Sequence, residues 1–175
     1  MTFDQTITDQ IPFLKNGVWQ IGIIVENLDK ALEMYWKFCG IGPWQIFTYQ
    51  KPFVPHMTYR GEPANHSYRV ALARIGPQQI ELIEPLEGPT IYHEFIEKHG
   101  YGLHHVGLMV DNWDEALAQA KAAGLTVIQS GGGHGLDGDG GYAYLDTEGR
   151  LDCLLELMAP PKRRQPPERI YPPEE

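Results

Sequence analysis

Gln20-Ile21-Gly22-Ile23-Ile24-Val25-Glu26-Asn27-Leu28-Asp29-Lys30-Ala31-Leu32 aligns without a gap on His105-Val106-Gly107-Leu108-Met109-Val110-Asp111-Asn112-Trp113-Asp114-Glu115-Ala116-Leu117. Gly, Val, Asn, Asp, Ala and Leu recur in step. A second pair closes each copy: Ile80-Glu81-Leu82-Ile83-Glu84-Pro85 matches Leu155-Glu156-Leu157-Met158-Ala159-Pro160. Two matches in the same order indicate an internal duplication.

Each copy opens as a strand and turns into a helix. Ile21, Ile23 and Val25 alternate on one side of the first strand, and Val106, Leu108 and Val110 do so in the second. The opposite sides carry Gln20, Gly22 and Ile24, and His105, Gly107 and Met109. Asn27 and Asn112 are suited to cap the helices that follow, and Glu115 stands three positions after Asn112. Leu28, Ala31, Leu32, Tyr35 and Phe38 recur at helical spacing until Gly40. Ala116, Leu117 and Ala120 repeat that stripe more weakly, ending at Gly124.

Strand-like stretches follow each helix: Trp44–Tyr49, Tyr68–Ile75 and Gln79–Glu84, then Leu125–Gln129, Tyr142–Leu145 and Cys153–Met158. Asp146-Thr147-Glu148-Gly149 reads as a turn. Thr90–His99, between Pro89 and Gly100, reads as a linker helix. The pattern predicts an α+β fold of two tandem βαβββ modules forming a curved mixed sheet. An N-terminal extension covers 1–16, the first module 17–87, the linker helix 88–101, the second module 102–160 and a flexible tail 161–175. The tail, rich in Pro, Arg and Glu, is expected to be disordered or draped over a partner subunit.

With 42% hydrophobic and 11% aromatic residues, the 175-residue chain can bury a sizeable interior. Its net charge of -9, with no clustered basic face, argues against nucleic acid and acidic membranes as partners. No apolar run approaches the roughly 20 residues of a membrane-spanning helix. Met1–Gln10 is polar and acidic, unlike a secretory signal. Cys39 and Cys153 lie among apolar neighbours and are expected to be buried, unpaired thiols, which fits the cytoplasm.

Strand, helix and three strands, repeated from Val18 to Pro160, resembles the vicinal oxygen chelate superfamily, which includes glyoxalases, methylmalonyl-CoA epimerases and extradiol dioxygenases. The resemblance is carried by Gly102-Leu103-His104-His105-Val106-Gly107-Leu108, Glu81-Leu82-Ile83-Glu84-Pro85-Leu86 and Leu154-Leu155-Glu156-Leu157; the stretch Gly88–Gly100 also looks like the inter-module segment of the epimerases. It implies one divalent metal (Zn, Ni, Co, Mn or Mg) held by Gln20 and Glu81 from the first copy and His105 and Glu156 from the second. Alternation places Gln20, His105 and Glu156 opposite the apolar stripes, where a carboxylate is costly without a compensating cation. By the same alternation Glu81 is expected inward, Glu84 outward, and His104 pointing away from His105.

The set Gln, Glu, His, Glu is closer to one glyoxalase I lineage than to the epimerases, where a His usually comes first. A second catalytic glutamate of the epimerases aligns with Asn65, which cannot accept a proton; His66 beside it is a candidate auxiliary base. The implied function is proton transfer alpha to a carbonyl, in an isomerase, epimerase or glyoxalase-type lyase, with Glu156 or Glu81 as base and a small substrate bearing vicinal oxygens. Two other functions use this fold: Fe(II) extradiol dioxygenation, whose two-His-one-carboxylate set is broken by Gln20, and metal-free binding as in bleomycin-resistance proteins. Coenzyme A thioesters, glutathione adducts and hydroxylated aromatics all remain open as substrates.

Gly131-Gly132-Gly133-His134-Gly135 is no phosphate loop, because no Lys-Ser or Lys-Thr follows. Nor do Asp137 and Asp139 form a calcium loop, whose sixth position would here be Tyr142. The stretch reads as a mobile lid or an idle surface loop. Trp44–Tyr59 with Arg60 reads as a pocket wall, or as core plus loop. Open sheet edges and the tail suggest a homodimer.

Overall fold

The computed structural model describes residues 11–173. Among these residues, eleven strands form one curved, open mixed sheet. They are β1 (Gln20–Ile24), β2 (Trp44–Tyr49), β3 (His56–Tyr59), β4 (Glu62–Pro63), β5 (Tyr68–Ile75), β6 (Gln78–Pro85), β7 (Gly102–Met109), β8 (Val127–His134), β9 (Gly140–Leu145), β10 (Leu154–Ala159) and β11 (Arg169–Tyr171). Their order is β11-β2-β5-β6-β1-β7-β10-β9-β8-β3-β4. Helices α1 (Leu28–Cys39), α2 (Ile91–His99), α3 (Trp113–Ala122) and the short α4 (Glu148–Leu151) complete the fold.

The duplicated strands meet at the centre. β1 pairs antiparallel with β7, and each runs parallel to the last strand of its own half, β6 and β10 respectively. Alternation then sorts the side chains. Ile21, Ile23, Ile80 and Leu82 pack beneath Leu28 and Leu32 of α1, while Leu108, Leu155 and Leu157 pack against Ala116 and Ala120 of α3. Each fully buried leucine contributes about 1.5–3 kcal/mol. The other face carries an aromatic cluster that includes Phe47, Tyr68, Tyr92, Tyr142 and Tyr144. Ile80 and Leu82 of β6 and Leu155 and Leu157 of β10 thus face the helices, and Glu81 and Glu156 face the aromatic side.

Helix boundaries follow local chemistry. Asn27 Oδ1 accepts from the Lys30 amide at 2.9 Å and Asn112 Oδ1 from the Glu115 amide at 3.3 Å, satisfying amides that a helix start leaves free. Gly40 ends α1 at a φ of 64°, which costs a side-chain-free residue little. Thr90 caps α2 through its hydroxyl. No helix among the described residues is long and apolar enough to cross a membrane.

Several expectations are corrected. The last turn of α1 projects past the core: every residue from Trp36 to Gly40 is exposed, so Phe38 is 77% exposed and Cys39 is not the buried thiol its neighbours implied. Cys153 is half-buried. The glycine run is not a lid but the second half of β8, paired with β9 and β3. Gly131 is there because the Tyr142 ring covers its Cα; a Cβ would lie 2.3 Å from that ring. Asp146–Gly149 leads into α4 instead of turning directly into β10.

The tail also departs from expectation. Arg169–Tyr171 pairs antiparallel with β2 of the same chain, and Glu168 accepts hydrogen bonds from the Thr48 amide and hydroxyl, both at 2.9 Å. At the other end of the sheet, the hairpin β3–β4, inserted between β2 and β5, reaches over to pair with β8. Each half therefore lends an edge ribbon to the other. The tail behind the homodimer expectation is thus paired within its own chain, and β11 and β4 form the two edges of the sheet. Of the N-terminal extension, Pro12–Asn16 forms a 3-10 turn that buries Phe13 against the α3 side; the polar stretch Met1–Gln10 lies outside the described residues.

Candidate metal centre

Four neighbouring strands, in the order β6-β1-β7-β10, bring Glu81, Gln20, His105 and Glu156 together on the aromatic face. All are buried, and His105 has no exposed surface. His105 Nε2 is the hub. It stands 3.4 Å from Gln20 Oε1, 3.4 Å from Glu81 Oε2 and 3.3 Å from Glu156 Oε2. The Glu81, His105 and Glu156 donors lie within 4.8 Å of one another.

Two neighbours fix the donors' orientation. Gln20 Nε2 donates to Gln79 Oε1 at 2.9 Å, turning the Gln20 oxygen toward His105. Gln79 lies on the same face of β6 as Glu81, two residues earlier, and that alternation was the signal that could have identified it from sequence. His104 Nδ1 lies 3.0 Å from His105 Nδ1, so one of the two carries the proton they share. His104 was expected to point away. A bulge overturns that: Gly22 pairs with His105 but Ile23 pairs with Leu103, which leaves His104 as the extra residue beside His105.

The electrostatics reflect burial against charge. Burial pushes the Glu81 carboxyl up; contact with His105 opposes this and the Glu156 charge adds to it. Burial alone would lower His105, but the Glu156 and Glu81 carboxylates override it and raise the imidazole to about 9. Burial holds His104 well below the ordinary histidine range, and so neutral.

The donor set fits a divalent cation. Ligands about 2.0–2.2 Å from one ion stand roughly 3.0–3.5 Å from one another, the spacing found around His105 Nε2. Glu156 Oε2 is buried without a hydrogen-bond partner, its 3.3 Å approach to His105 lacking hydrogen-bond geometry. An orphaned carboxylate oxygen in mid-sheet is stable only beside a compensating charge. Three oxygens and one imidazole suit Zn, Ni, Co, Mn or Mg.

The donors open into a cleft walled by Phe47, Tyr49, Phe53, Leu72, Tyr142 and Met158. Phe47, Tyr49 and Phe53 are thus wall residues of the aromatic stretch, while Trp44 is core. His134, from the glycine run, also lines the cleft, as do Arg164 and Gln165; no sequence motif marked the last two, because the tail reaches the cleft through long-range pairing. His66 is not among the lining residues. It is buried beside Tyr68 with both ring nitrogens unpartnered, and Lys51 and His93 are the charges it feels. Asn65 is exposed, and Glu84 faces away, paired with Arg69 at 3.0 Å.

Residues 19–144 match the family model of the Glyoxalase/Bleomycin resistance protein/Dioxygenase superfamily. The uncharacterized protein YqjC of Bacillus subtilis (strain 168) is 27% identical over 145 residues, 83% of this chain and 93% of that protein. Among solved structures, a hypothetical protein from Bacillus halodurans C-125 superposes with a TM-score of 0.57 at 24% identity, covering 85% of this chain and 95% of the other. Methylmalonyl-CoA epimerase from Mycobacterium tuberculosis gives 0.58 at 21% identity, over 82% and 87% of the two chains. The Streptomyces coelicolor epimerase in complex with 2-nitronate-propionyl-CoA gives 0.58 at 22%, over 82% and 96%. These structural likenesses establish a shared fold, and the family match spans most of the chain: the protein belongs to the Glyoxalase/Bleomycin resistance protein/Dioxygenase superfamily.

Proposed function

We propose that Gln20, Glu81, His105 and Glu156 hold one divalent cation and that the centre transfers a proton alpha to a carbonyl of a small substrate with vicinal oxygens, as an isomerase, epimerase or glyoxalase-type lyase. One observation carries this reading: three oxygens converge on His105 Nε2 at 3.3–3.4 Å, and one of them, Glu156 Oε2, is buried with no hydrogen-bond partner. A bound divalent ion supplies Lewis acidity toward the substrate oxygens and stabilises the charge left by proton loss.

The protein's own groups do the rest. Glu156 is the base: no protein donor engages its Oε2, which could take a proton from a carbon held beside it once a substrate oxygen replaced it as a ligand. Glu81, 3.4 Å from His105 Nε2, is the second carboxylate of the centre and the group that can return the proton. His105, tied to His104 through Nδ1, keeps Nε2 directed at the oxygens. The walls formed by Phe47, Phe53 and Tyr142 keep water from the reacting carbon. A two-His-one-carboxylate dioxygenase is disfavoured, because Gln20 occupies the position where the second imidazole would be needed.

Metal analysis of the purified protein, with solvent deuterium exchange into candidate carbonyl substrates, tests the proposal. The expected result is about one divalent ion per chain and exchange that a chelator abolishes. Full exchange in stripped protein, or in Glu156→Gln, would rule it out.

A further inference from the structure

The cleft has two ends of opposite character. Its inner end is the carboxylate and imidazole cluster. Its outer end is built by the tail, where Pro160, Pro161, Arg164 and Gln165 close over the aromatic wall. Two tail arginines are neutralised elsewhere: Arg163 pairs with Asp137, and Arg169 with Asp29. Arg164 is different. Among the described residues its guanidinium makes no hydrogen bond or ion pair. Its charge nevertheless reaches the site, lowering the carboxyl of Glu81 and opposing protonation of His134.

Arg164 also stands at a junction. It lines a second cavity of about 370 Å³ that shares Leu72 and Gln79 with the cleft and includes Arg74 and Gln45. No acidic residue lines this outer cavity, although the chain carries 23 Asp and Glu against 14 Lys and Arg. Arg74 is held in place, donating to the Pro77 carbonyl at 2.9 Å with its guanidinium 4.1 Å from the Trp19 ring, and it too has no acidic partner. Beside Arg164, His134 Nδ1 is buried without a partner, so this wall has an imidazole nitrogen left for a ligand. A guanidinium fork at a half-dry cleft mouth matches carboxylate or phosphate oxygens, and gains more from them there than in open water.

We propose that the substrate of this centre carries a carboxylate or phosphate group separate from its vicinal oxygens, and that Arg164 binds that anion at the mouth of the cleft. The proposal rests on the metal-centre reading above. It assigns the ligand three regions: two adjacent oxygens at the inner end, a flat apolar body along Phe47, Phe53 and Tyr142, and an anionic group at Arg164, with room beyond it toward Arg74.

Three probes separate these regions: catechol, 3,4-dihydroxybenzoate and 3,4-dihydroxyphenylphosphonate. All offer the same vicinal oxygens and ring, and the last two add an anion on the far side. Calorimetric titration of the Co(II)-loaded protein should give binding at least about tenfold tighter for an anionic probe than for catechol. The tighter of the two anionic probes identifies the group as carboxylate or phosphate. Arg164→Gln should abolish the preference while leaving catechol affinity within about twofold, and Arg164→Lys should keep part of it. Catechol binding as tightly as both anionic probes, or a preference that survives Arg164→Gln, would overturn the anion site and leave the metal centre standing. If none of the three binds the loaded protein, the vicinal-oxygen reading itself fails, and this proposal with it.

Discussion

Gly22 lies directly beneath the imidazole of His105: a Cβ at position 22 would sit 1.8 Å from the ring Cε1. The relationship is reciprocal. Gln20 is the register partner of Gly107, where a Cβ would meet Gln20 Cβ at 2.9 Å and Met158 Sδ at 2.4 Å. Each half thus supplies a polar residue and, two positions later, the bare backbone over which the other half's polar residue lies. The repeated Gln-x-Gly and His-x-Gly words are the sequence trace of this mutual packing.

Gly22→Ala should therefore displace the imidazole. A loss of about 1–3 kcal/mol in stability is expected from overpacking, with metal affinity falling by about 10–100-fold. Gly107→Ala should destabilise too: the Met158 thioether can move aside, but Gln20 Cβ at 2.9 Å must shift with its strand. Thermal denaturation and metal content read both effects, and a Gly22→Ala protein with unchanged metal content would contradict the account.

Metal loading should stabilise the fold, because the four donors come from four strands spanning both halves. At about a thousandfold excess of free ion over Kd, the gain is about 4 kcal/mol. The melting temperature should fall on treatment with chelator, and that fall should be absent in His105→Ala.

His134 gives a specific acid sensitivity. Burial lowers its pKa from 6.5 to about 4. The unfolded chain then binds a proton that the folded chain rejects, so stability present above pH 6.5 is lost as pH falls from 6.5 toward 4. The loss approaches about 3 kcal/mol. Asp29, Glu94 and Glu148, whose carboxyls are lowered mainly by their Arg69, Arg60 and Lys98 partners, add a loss of their own as pH falls toward the acid end of this window, and it is common to the parent protein and His134→Gln. Denaturation of His134→Gln beside the parent protein isolates the effect, since the contributions of Glu81 and His105 cancel in the difference. Parallel stability curves between pH 4 and 6.5 would contradict it.

Thr147 secures the turn into β10. Its buried hydroxyl donates to the Cys153 carbonyl and accepts from the Leu155 amide, both at 2.9 Å. Thr147→Val keeps the shape but leaves both backbone groups unpaired next to the Glu156 strand, at a cost of about 1–3 kcal/mol. Urea unfolding measures it, and Thr147→Ser should recover most of the loss.

The duplicated words made the centre of the molecule legible. Period-two alternation put Gln20, Glu81, His105 and Glu156 on one face, and the Asn caps marked where strand becomes helix. What escaped was set by pairing between distant segments. His56–Tyr59 and Arg169–Tyr171 are short and carry no alternation strong enough to announce a strand; each becomes one only because an edge strand offers it free backbone groups. The His104 bulge is a single-residue register change at a strand seam, invisible to a pattern read along one chain segment. Phe38 and Cys39 show the limit of helical periodicity, which gives the direction of a side chain but not where the supporting surface ends. Arg164 lay in a stretch whose composition suggested no packing at all.

The exchange of edge ribbons bears on how the molecule comes apart. The hairpin β3–β4 belongs to the first half by chain order and to the second by hydrogen bonding, and β11 the reverse. Neither half can lose its structure without stripping a border from its twin, so despite its modular ancestry the chain should melt in a single calorimetric transition, and a backbone severed in the linker should yield two fragments that regain structure only when mixed.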